Sequence, residues 1–159
     1  MRVMRRSGAI AGFVALVAVT VVAACSDSSA TGDDDGALYA AVIRRVAAGQ
    51  ATELPSIVFV ETLPGTKISL ADQTSIVKAL DDATDVRFID DPDEAVDDAQ
   101  PQAPVRREGV LVRVGSAERD DGTAQVKAMR YVDLRNEQSI CVRVRLAGRD
   151  WEIISADRC

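Results

Sequence analysis

The chain has 159 residues, with 19 Lys and Arg against 25 Asp and Glu, three Cys and no His. Without His it lacks the commonest general base and metal ligand, and a net charge of −6 disfavours nucleic acid and anionic lipid as partners. Apolar residues make up 47% of the chain, enough at this length for one modest core and a single domain.

Arg2, Arg5 and Arg6 precede an uncharged run from Ala9 to Val22, the n- and h-regions of a secretory signal. The run closes on Val22-Ala23-Ala24-Cys25, an aliphatic residue, two small ones and a cysteine, with polar Ser26-Asp27-Ser28-Ser29 behind it. This resembles the lipobox of bacterial lipoproteins. The resemblance implies diacylglycerol on the Cys25 thiol and cleavage between Ala24 and Cys25. It also implies acyl chains such as palmitate holding the product to the cell membrane, with its domain on the extracytoplasmic side. Each buried methylene contributes about 0.8 kcal/mol, so two or three chains anchor stably where one does not. An uncleaved anchor helix is one alternative, because Ser7 to Ala24 is uncharged and near the lower length limit for spanning a bilayer. A secreted product without lipid is the other.

Removing residues 1–24 from the 159 leaves 135 residues, with 16 basic against 25 acidic side chains, a net −9. Cys141 and Cys159 then remain outside the reducing cytosol and are expected to form a disulfide. Two cysteines and no His make a metal site improbable, and no cofactor is expected. Residues 25–36 are small and polar, a tether unable to build a core, and the domain spans 37–159.

Tyr39, Val42, Ile43 and Val46 recur at helical spacing, with Asp33 to Asp35 before them and Gly49 as a stop. Ile57-Val58-Phe59-Val60 reads as a strand buried on both faces, ended by Leu63-Pro64-Gly65. Ser69 and Asp72 resemble a capping box for a second helix through Ile76, Leu80 and Ala83. Val86-Arg87-Phe88-Ile89 forms a short strand. Residues 90–108, with Asp90, Asp91, Asp93, Glu94, Asp97 and Asp98 among Pro92, Pro101 and Pro104, read as a long solvated acidic loop without the spacing or Gly of a calcium-binding EF-hand.

From Gly109 a four-stranded meander follows, with turns at Asp121-Gly122, at 135–138 and at Gly148-Arg149. If 120 faces 123, 134 faces 139 and 147 faces 150, one face collects Val110, Val112, Val114, Met129, Tyr131, Ile140, Val142, Val144, Leu146, Trp151 and Ile153. The fold class is therefore α+β, with two helices packed on a mainly antiparallel sheet. Helices on a curved sheet whose last strand carries Trp151-Glu152-Ile153-Ile154 resemble the NTF2-like and cystatin-like folds.

On the opposite face the same register sets Arg113 across from Arg130, Arg130 across from Arg143, and Arg145 across from Glu152. Like charges directly opposite are destabilising. The row is expected either to be paired by the acidic loop or solvated, or to serve as an anion-binding or partner-docking surface suited to arginine's planar fork. The expected role is a membrane-tethered, non-catalytic binding module with an envelope protein as its candidate partner. A small-ligand-binding NTF2-like domain is the alternative. A carboxylate-dependent hydrolase is disfavoured, because the acids cluster without apolar shielding and no nucleophile elbow or phosphate-binding Gly loop is present.

Overall fold

The computed structural model describes residues 35–159. Two helices, α1 (Asp35–Ala48) and α2 (Leu70–Leu80), cover one face of a six-stranded mixed sheet. Its strands are β1 (Ile57–Thr62), β2 (Asp85–Phe88), β3 (Val110–Asp120), β4 (Thr123–Tyr131), β5 (Glu137–Ala147) and β6 (Asp150–Arg158). Their spatial order is β2-β1-β3-β4-β5-β6. β1 runs parallel to both its neighbours, whereas β3 to β6 form the antiparallel meander. Among the described residues no helix is long and apolar enough to cross a membrane.

Each helix forms where its apolar spacing and caps direct. α1 buries Leu38, Tyr39, Val42, Ile43 and Val46, and it is already helical at Asp35 and Gly36, the last two residues assigned to the tether. It stops at Gly49, whose φ of +60° suits a residue without Cβ. α2 is capped by the Ser69 hydroxyl, which accepts from the Asp72 amide at 3.1 Å, and it seats Ile76 and Leu80. Ala83 lies beyond its end, in the turn whose amide donates to the Leu80 carbonyl.

β1 enters the middle of the sheet with Ile57 to Val60 all buried, as a parallel strand covered on both faces must. On the helix side Val58 and Val60 join Val110, Val112, Val114, Ala124, Val126, Ala128, Val142 and Val144 in the main core. On the other side Ile57, Phe59, Leu111 and Tyr131 form a second, smaller core with Ala95 and Val105.

That second core corrects the reading of residues 90–108 as a solvated loop. The segment joins β2 to β3 across the outer face of β1, through two short 3-10 turns and a bridge between Val96 and Val105. Ala95 and Val105 face the sheet, and the Tyr131 hydroxyl donates to the Ala103 carbonyl at 2.7 Å. Asp90, Asp91, Asp93, Glu94 and Asp98 point to solvent, so a continuous charge run hides two apolar contacts.

Two of the expected turns pair as read: 120 with 123, and 147 with 150. The middle turn does not, because Tyr131 pairs with Glu137 and not with Val142. The Asp133 carboxylate closes that turn early, accepting from the Arg135 and Asn136 amides at 2.8 and 3.1 Å. These hydrogen bonds, with one from the Asn136 side chain first among them, hold the Asp133 carboxyl below its ordinary range. A β-bulge between Val114 and Ala117 adds a second odd shift, so Val112 faces Arg130 and Val114 faces Ala128. β4 is consequently turned over: Ala124, Val126 and Ala128 enter the main core, while Met129 and Tyr131 lie on the outer face.

Candidate functional site at the end of the first helix

The turned-over β4 separates the three arginines expected in a row. Arg113 and Arg143 stay on the outer face, but Arg130 projects to the helix side. Arg113 lies opposite Glu61 in the parallel ladder and donates to its carboxylate at 2.6 Å, with both side chains three-quarters or more covered. Arg143 stands opposite Gln125 and Ser155 and reaches the Gln125 amide oxygen at 3.4 Å. The row therefore does not exist as a surface. The acidic segment is not its counter-charge either, since it covers Leu111 and Tyr131. Arg145 does face Glu152, at 3.3 Å on the exposed side.

Arg130 instead meets the end of α1. Its Nε donates to the Ala47 carbonyl at 3.3 Å, and Arg45 donates from Nη1 to the Gly49 carbonyl at 2.5 Å. The last carbonyls of a helix lack partners within it and carry the negative end of its dipole, so two guanidiniums there are favourably placed. Gly49 is needed a second time in this arrangement, since a Cβ at that position would lie 3.0 Å from Arg130 Nε. Burial pulls the Arg130 guanidinium below its ordinary value, as loss of water disfavours the charged form.

Between this helix end and strands β4 to β6 lies a cleft of about 460 Å³. Arg45, Arg130 and Arg158 line it, with the Gln50 and Gln138 amides, the Asp157 carboxylate, and Ile140 and Ala156 as apolar wall. Arg158 is placed there by the β5–β6 ladder, which pairs it with Ile140. The strand end is held by the Cys141–Cys159 disulfide and by the Cys159 amide donating to Ser139 O at 3.2 Å. The disulfide thus forms as expected, with Cα atoms 5.1 Å apart. The ladder sets its route: a β-bulge at Arg143/Val144 shifts the β5–β6 register by one, so Cys141 pairs with Asp157 and Cys159 is the diagonal neighbour.

The lining offers guanidinium and amide donors, one carboxylate and a small apolar surface, which is binding chemistry for an anion. Cys25 and the lipobox Val22-Ala23-Ala24-Cys25 lie outside the described residues. The fold and cleft define a small α+β domain with a cationic cleft at one end. Comparison of the chain with protein-family models, with curated proteins and with solved structures finds no match.

Proposed function

We propose that the protein is a lipid-anchored module of the bacterial cell envelope that binds and does not catalyse. The observation that carries this reading is the lipobox-like Val22-Ala23-Ala24-Cys25 directly after a basic n-region and an uncharged h-region. A small polar tether follows, and the domain behind it has a cleft lined by donors with no hydroxyl or thiol nucleophile among them. The experiment is fractionation of cells carrying the parent or Cys25→Ser, with mass spectrometry of the mature N-terminus. The parent is expected in the membrane fraction with an acylated Cys25, and the variant in the soluble or secreted fraction. A variant that is processed and anchored like the parent refutes the proposal.

A further inference from the structure

We infer that the cleft at the C-terminal end of α1 is a binding site for a small organic oxyanion. Its carboxylate or phosphate head would be held by Arg45, Arg130 and Arg158, and its carbon body would rest on Ile140 and Ala156. The inference rests on the binding reading above and gives it a site and a ligand class.

A guanidinium carries five N–H groups. In this cleft Arg130 spends Nε on Ala47 O and Arg45 spends Nη1 on Gly49 O, while Arg158 makes no side-chain hydrogen bond among the described residues. Capping the helix therefore uses one N–H of Arg130 and one of Arg45, and most N–H groups of the three cleft-lining guanidiniums have no hydrogen-bond partner among the described residues. Their planar fork matches the paired oxygens of carboxylate or phosphate.

Charge points the same way. Among the thirteen arginines of the described residues, Arg87, Arg113, Arg119 and Arg145 are in ion pairs. Among the described residues none of Arg45, Arg130 and Arg158 is in an ion pair, although Asp157 shares the cleft wall. The half-buried Arg130 is the costliest of the three to leave with only carbonyl partners, because a charge partly removed from water gains most from a fixed anion. A monoanion or dianion in the cleft would offset the excess, which the helix end, at about −0.5 charge, only partly balances.

Shape selects among anions. A volume of about 460 Å³ is within the range of small-molecule sites and exceeds what a bare ion needs. The apolar wall, Ile140 and Ala156, also packs against the main core, which keeps it rigid. The disulfide one residue beyond Arg158 fixes the chain end that would otherwise fray.

The test titrates the full mature chain, in detergent, with benzoate, phenyl phosphate and inorganic phosphate, read by calorimetry and by the rise of Tm with probe concentration. At least one organic probe is expected to saturate, with affinity above that of inorganic phosphate, and the stronger of the two identifies the head group. Arg158→Gln should weaken it about tenfold, the loss of one charged hydrogen-bonding partner, without moving the ligand-free Tm. Arg130→Gln should weaken it at least as much, and because that variant also uncaps Ala47 O, Arg158→Gln remains the decisive one. Failure of both organic probes to saturate, affinity no higher than for inorganic phosphate, or unchanged binding by Arg158→Gln overturns the inference. A chain that is acylated at Cys25 yet binds no probe overturns this inference and leaves the anchor intact.

Discussion

Removing the Cys141–Cys159 bond, by Cys141→Ala/Cys159→Ala or by reduction, tests how the meander is held at its free edge. The bond closes a chain segment with a sequence separation of 18 between β5 and β6. In the chain-entropy account such a closure restricts the unfolded ensemble by about 3 kcal/mol at 25 °C. The folded side adds little, since Cys141 is half-buried and Cys159 exposed, so alanine leaves no core cavity. For a domain of this size about 3 kcal/mol corresponds to a fall in Tm of roughly 12 °C. Urea denaturation of the oxidised parent, the reduced parent and the double variant measures it. The midpoint should fall together in the last two, and the m-value should rise as the unfolded chain expands. A loss below about 1 kcal/mol would show that the unfolded state is already restricted there, or that β6 is held mainly by its ladder, and would refute the closure argument.

Two further perturbations probe the packing on either side of the sheet. Gly109→Ala puts a Cβ 2.7 Å from Ile57 Cγ2 and 3.0 Å from Ile57 O, at an ordinary negative φ, so space and not backbone strain sets its cost. It should cost about 1–3 kcal/mol in equilibrium denaturation, and a neutral result would mean that Ile57 yields freely. Burial raises the hydroxyl pKa of Tyr39, and also that of Tyr131, above the ordinary tyrosine value of about 10. The folded state keeps these protons where the unfolded state releases them, so the stabilisation is complete below about pH 10 and is lost as pH rises through the folded values. Tyr39→Phe/Tyr131→Phe should flatten that alkaline decline in denaturation midpoints, and an equal decline in parent and variant would dismiss the linkage.

Much of the fold was legible because its signals were local. The 3.6-residue spacing of Tyr39, Val42, Ile43 and Val46, the Ser69 cap and the apolar run at Ile57 each depend on neighbours in the chain, and all three elements form. The hairpin at Asp121-Gly122 is set by its own turn, as is that at Gly148-Arg149. What was not legible required a competition between distant parts. Ala95 and Val105 stand among acids and prolines, and only the exposed outer face of β1 and β3 explains why they are buried. The parallel pairing of β1 with both β2 and β3 likewise follows from two crossovers on opposite faces and has no local signature.

The candidate site turned on a single strand. Two departures from the expected register, the bulge in β3 and the early turn at Asp133, flank β4 and shift its pairing by an odd number of residues, and an odd shift exchanges the two faces. Because these two fall on either side of β4, β3 and β5 remain in phase and β4 is inverted, while a third odd shift, at Arg143/Val144 in the β5–β6 ladder, turns the end of β6 so that Ala156 and Arg158 reach the cleft. Two signals in the sequence argued for this. A face built from Met129 and Tyr131 also places Gln125 and Lys127 against the helices, whereas the inverted strand buries Ala124, Val126 and Ala128, which α1 can approach closely. Gly115 interrupts the alternation of β3 at the bulge itself, where a Cβ would meet the Lys127 carbonyl at 3.0 Å. Arg130 is carried across the sheet with its strand. A long cationic side chain cannot be seated under the middle of a helix, but at the end of α1 it finds unpartnered carbonyls, and this is why the inverted strand is tolerated at its last turn-proximal position. The same step that removes the expected arginine row from the outer face therefore brings Arg130 beside Arg45 and Arg158, two residues that pairing along β4 alone could not have brought to it.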